Sequence, residues 1–76
     1  MADSTFRTMR EILRGAIEHE RESFDYYHSA ALQADDPELR RFLTGLAEME
    51  KEHERQLKGQ LERLENQLWV EQALTL

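Results

Sequence analysis

A single proline, Pro37, divides this chain into two long runs that share one periodicity. Before it, Phe6, Met9, Leu13, Ala16, Ile17, Phe24, Tyr27 and Ala31 recur at spacings of three and four. After it, Leu39, Phe42, Leu43, Leu46, Met49, Leu57, Leu61 and Leu64 do the same. That spacing marks one face of a helix, and the opposite faces are crowded with Glu, Arg and Lys, as solvated helix surfaces are. Proline breaks a helix interior but suits its first position, and Asp36, just before it, can cap the new helix. Glu38 adds favourable negative charge to that first turn. The pattern predicts a helix over about 5–34, a hinge at 35–36 and a second helix over about 37–65. The tail, NQLWVEQALTL, is apolar enough either for a short third helix over about 66–75 or for an extension of the second. Gly59 and Asn66 are the places where a bend or break would fall, and Gly15, Gly45 and Gly59 are candidates for close helix approach. No strand alternation and no repeat is visible. The fold class is all-α, a single domain (1–76) built as an antiparallel two-helix hairpin.

A chain of 76 residues is at the small end for a self-sufficient core. Chains of this size usually add disulfides, a metal or a partner subunit. There is no cysteine, which removes disulfides, zinc knuckles and iron–sulfur clusters and leaves a metal or a second subunit. The formal net charge of −6 argues against nucleic acid as a partner, since phosphate binding needs a basic surface. No apolar run is long enough to span a bilayer, and MADSTFRTMR lacks the apolar stretch of a secretory signal. A soluble, cytoplasmic protein is expected.

The informative residues are the polar ones that interrupt the apolar stripes. In the first run the stripe steps through Leu13, Ala16 and Ile17 to Glu20, then on to Phe24 and Tyr27. In the second it steps through Leu43 and Leu46 to Glu50 and His53, then on to Leu57 and Leu61. All three polar residues are expected to face the core, where an unpartnered carboxylate is costly by several kcal/mol. Their heights agree. Glu20 lies 15 residues before residue 35 and Glu50 lies 15 residues after it. In an antiparallel hairpin both stand roughly 22 Å from the turn, with His53 one helical turn further along. The three groups therefore converge.

Carboxylate oxygen with imidazole nitrogen suits iron, with manganese or zinc as substitutes. Di-iron carboxylate bundles use one Glu from each of two helices and a Glu-x-x-His from each of the other two. One hairpin supplies half of that set: Glu20, and Glu50-Lys51-Glu52-His53. Two hairpins supply the whole, so a homodimer forming a four-helix bundle is expected at minimum. Around the three, His19 and Glu22 could form an outer site on the path of an incoming ion, and Glu54 could add an oxygen. His28 reads as a surface residue and Trp69 as an interface anchor.

The stretch AIEHERESFDYYHSAALQADDPELRRFLTGLAEMEKEHERQL resembles the metal-binding hairpin of the ferritin-like superfamily. It is similar to rubrerythrins and, more closely, to encapsulated ferritins, over about residues 13–65. The marks are Glu20 followed by Tyr27 seven residues later, the acidic hinge before DPELR, and E-K-E-H at 50–53. The resemblance implies that Glu20, Glu50 and His53 are iron ligands and catalytic residues, with Tyr27 close behind them. It implies a ferritin-like bundle made by dimerisation, rings of such dimers, and service as cargo inside an encapsulin nanocompartment. The activity implied is that of a ferroxidase, oxidising Fe(II) to Fe(III) at a di-iron site for iron storage or detoxification. Two alternatives stand beside it: a rubrerythrin-like peroxide reductase fed by an external electron donor, and a helical dimerisation module that is not an enzyme.

Overall fold

The computed structural model describes the backbone of residues 2–75 and the side chains of residues 8–74. It contains two helices, α1 (Ala2–Gln33) and α2 (Pro37–Thr75), which run antiparallel as a hairpin about 60 Å long. Among the described residues there is no strand. Phe6, counted in the first apolar stripe, falls outside the described side chains.

The turn is built as its residues dictate. The Asp36 carboxylate accepts the Leu39 N–H at 3.1 Å, and the Asp36 carbonyl accepts the Arg40 N–H at 2.9 Å, so Asp36 caps α2 with Pro37 in the first helical position. At the other side of the turn α1 ends on exposed carbonyls. The Arg40 guanidinium donates to the Ala34 carbonyl through Nε at 3.1 Å and through a terminal nitrogen at 2.6 Å. One arginine of α2 thereby closes the end of α1 and fixes the angle at which the chain reverses.

The tail does not form a separate helix. Neither Gly59 nor Asn66 interrupts α2, which continues unbroken to Thr75. Nor do the glycines bring the helices together: a Cβ built at Gly15, Gly45 or Gly59 meets nothing within 4 Å. The close approach occurs at alanines instead. The buried apolar residues among those described are Ile17, Ala31 and Ala47, and Ala47 is the most enclosed. Small side chains are thus among the best covered, and Leu43, Leu57, Leu61 and Leu64 are half-covered. Phe42, Met49, Tyr26 and Ile12 stay exposed, because two helices share one line of contact and leave both sides of it open.

Two stability changes follow. Asp36→Ala removes the cap of α2 and should cost about 1 kcal/mol, a fall in melting temperature of roughly 4–8 °C for a domain this size. Gly59→Ala should raise stability by up to about 1 kcal/mol, since the site is helical and open. Thermal unfolding followed by far-UV circular dichroism measures both. No gain for Gly59→Ala would show that its backbone is strained or covered in solution.

Candidate metal centre

The apolar pattern of the seam is interrupted near the middle of the hairpin by three polar residues and resumes beyond them. Glu20 projects from α1 and Glu50 from α2 at the same height, and His53 follows one turn along α2. One ligand atom from each of the three lies within 4.8 Å of the others. The His53 Nδ1 stands 3.6 Å from Glu20 Oε2 and 3.8 Å from Glu50 Oε2. These separations are too long for hydrogen bonds. They match two donors on one ion, since donors held about 2.1 Å from a common metal lie about 3–4 Å apart.

Burial divides the three. The Glu20 and Glu50 side chains are about one-fifth exposed, while His53 is about half exposed. The expectation that all three sit in the core is therefore corrected for His53. It flanks the seam and faces the open side of the hairpin, because three residues turn a helix about 300°, some 60° short of a full turn. Glu20 carries the strongest sign of an intended ligand. Its Oε2 is buried and has no hydrogen-bond partner. A buried acceptor left unpaired costs about 1–3 kcal/mol or more when charged, so the group is unsatisfied until something binds it.

Neighbouring carboxylates are occupied. Glu54, the candidate for an extra oxygen, lies partly buried with Lys58 at 2.7 Å and Arg21 at 3.3 Å. The Lys58 ammonium, helped by Arg21, holds its carboxyl below the usual range. Glu52 is gripped by Arg55, at 2.6 and 2.9 Å, and by Gln56, which pull its pKa down to about 2. Glu65 pairs with Arg14 at 3.3 Å. His19 and Glu22 are exposed and do not join the cluster. Tyr27 is half-covered on the Glu20 side of α1, its ring edge-on to Tyr26 at 5.5 Å. His28 stacks on Phe24 at 5.3 Å, and Lys51 sits 4.6 Å from the centre of that ring.

The cluster opens into a cleft lined by Glu20, His53, Gln56, Leu57 and Gln60. Gln56 and Gln60 did not stand out in the sequence. Their signal was present as His53, Gln56 and Gln60 at helical spacing on one side of α2.

Comparison with protein-family models matches residues 3–71 to Rubrerythrin. The chain belongs to the rubrerythrin family. The match spans both helices and the turn, so it covers every residue of the cluster. Comparison with curated proteins and with solved structures gave no match. Family membership places the hairpin in the ferritin-like superfamily, and the cluster is a carboxylate–histidine group of the type that family uses for iron. No helix among the described residues is long and apolar enough to cross a membrane.

The orphaned oxygen yields a prediction. Glu20→Leu should stabilise the metal-free protein by roughly 1–3 kcal/mol, since an unpaired acceptor is exchanged for an apolar side chain in the seam. The same substitution should abolish any rise in melting temperature on adding Fe(II). Melting curves of both proteins with and without Fe(II) under anaerobic conditions test the pair of outcomes. A metal-free variant less stable than wild type would show that Glu20 is already satisfied.

Proposed function

We propose that this protein binds iron as a homodimer and oxidises Fe(II) to Fe(III) at a pair of sites formed between two hairpins. The observation that carries the reading is the buried, unpartnered Glu20 Oε2 aimed at Glu50 and His53. One chain supplies two carboxylates and one imidazole, half the ligand set of a di-iron carboxylate bundle. A second hairpin doubles it, and also covers the side on which His53 is left half exposed.

Each residue has a part in that chemistry. Glu20, Glu50 and His53 would together hold the iron. Bound iron supplies the redox step: two Fe(II) each give up one electron, and O₂ or peroxide accepts the two electrons. The carboxylates raise the negative charge around the pair and so favour the Fe(III) product. The carboxylates with Arg or Lys partners, Glu52, Glu54 and Glu65, are held away from the ions. Tyr27 lies on the Glu20 side of α1, two helical turns nearer the hairpin's turn. Iron storage or detoxification, with the dimers assembled into rings inside an encapsulin shell in the cytoplasm, is the setting that fits this reading.

Family membership favours one alternative from the same site: reduction of hydrogen peroxide to water with electrons from an external donor. The two differ in what is consumed. With Fe(II) and air, wild-type protein should speed the appearance of Fe(III) over the protein-free rate, and Glu50→Ala should return it to that rate. Peroxide loss that needs an added donor and turns over many times per site would favour the alternative. Equal Fe(II) oxidation rates for wild type and Glu50→Ala would dismiss the ferroxidase reading, and equal donor-dependent peroxide loss would dismiss the alternative.

A further inference from the structure

The Glu52–Arg55 pair lies outside the metal cluster, yet one residue connects it to the cluster. The Arg55 guanidinium donates to both oxygens of Glu52, at 2.9 and 2.6 Å. The Gln56 amide donates to one of them at 3.3 Å. An ionised carboxylate only accepts, so the NH₂ end of the amide is the end that faces it. The carbonyl end of Gln56 points the other way.

Helical phase decides what lies there. Gln56 is four residues after Glu52 and three after His53. At about 100° per residue it stands between the two, about 40° from Glu52 and about 60° from His53. Helical side chains lean toward the N-terminus, so Gln56 leans over the gap between them. With its NH₂ end on Glu52, its carbonyl end is turned to the His53 side. Gln56 and His53 also line the same cleft.

His53 has an end that needs such a partner. Its Nδ1 faces the carboxylates of the cluster, at 3.6 Å from Glu20 and 3.8 Å from Glu50. A neutral imidazole that ligates through Nδ1 carries its proton on Nε2, at the far end of the ring. Ligating histidines are fixed in one tautomer and one orientation by an acceptor for that second N–H. The other groups nearby are engaged or unsuited. Glu52 is held by Arg55, and Glu54 by Lys58 and Arg21. Leu57 is apolar, and the Gln60 carbonyl already accepts the Arg63 Nε–H at 3.2 Å.

We propose that Gln56 is a positioning residue for the metal centre, its carbonyl accepting the His53 Nε2–H and holding the imidazole with Nδ1 toward the ion. Glu52, locked by Arg55, keeps the amide in the orientation this requires. The proposal rests on the iron site described above. It adds Gln56, Glu52 and Arg55 to that site, none of which needs to touch the ion.

Calorimetric titration with Co(II) measures the affinity of the site, and NMR of Zn(II)-loaded, ¹⁵N-labelled protein reads the His53 Nε2–H directly. Gln56→Met should weaken Co(II) binding about tenfold. It should also lose the Nε2–H signal to exchange with water, with the metal-free melting temperature unchanged. Gln60→Met, the same change one turn along the helix, should keep both the affinity and the signal. Gln56→Glu, which retains an acceptor, should keep the signal. Unchanged affinity and signal in Gln56→Met would overturn the role of Gln56 and leave the iron site standing. So would equal losses in Gln56→Met and Gln60→Met, or a loss accompanied by a lower metal-free melting temperature. Failure of wild type to bind Co(II), or equal binding by Glu50→Ala, would overturn the metal site and the proposal together.

Discussion

Two antiparallel helices share a single seam, and a single seam can enclose very little. The side chains buried among those described are one isoleucine and two alanines. Leucines that would be fully covered in a larger helical protein stay half-covered here. Everything else about the molecule is conditioned by this geometry. A polar group in the seam can be shielded by its two helices on two sides, never on all of them. Glu20 is enclosed enough to lose water from one oxygen, and His53, one turn along, is not. A site begun in such a seam keeps an open side, and His53 stands on it.

Within that constraint, which carboxylates stay free to take a cation is decided by their neighbours. The chain carries 16 acidic residues against 10 Lys and Arg, so acidity alone distinguishes none of them. Glu52 and Glu54 sit beside the cluster in sequence, yet each is held by its own basic partner one helical turn away, Arg55 and Lys58. Arg21 reaches across from α1 to add to the second. The Glu52 pair lies on the exposed side of α2, and the Glu54 pairs lie along one flank of the seam. The seam at Glu20 and Glu50 has only His53 nearby. The arrangement sorts carboxylates into those satisfied by the chain itself and those left for something added.

Much of this was legible before any coordinates. The cap at Asp36, the proline behind it and the two apolar periods are local features, and local features fix the hairpin. Counting from the turn then fixes which residue of α1 faces which residue of α2, and that arithmetic brought Glu20 level with Glu50. What escaped were properties of angle rather than height. His53 shares its level with the cluster but is rotated off the seam, a difference invisible to spacing by threes and fours. Glu54 falls on the seam side yet turns toward Arg21, which only a three-dimensional neighbour could show. The tail offered a choice between a break at Asn66 and continuation. Asn and Gly are weak helix formers but not stops, and a helix already 29 residues long when it reaches Asn66 continues at little cost per residue.

The same geometry explains why so small a chain keeps a destabilising group in its only seam. A 76-residue hairpin that buried nothing but hydrocarbon there would be more stable alone and would have no use for a ligand. Leaving Glu20 unsatisfied lowers the stability of the isolated hairpin and raises the free energy gained when a cation arrives. Ligand binding then contributes directly to folding stability, because the unfolded chain offers no comparable site. The half-covered leucines act in the same direction, since they too gain from a second surface. Folding and metal binding are thus not independent steps in a chain like this. Each supplies contacts that the other lacks, and the residue that links them is the glutamate whose second oxygen the hairpin leaves without a partner.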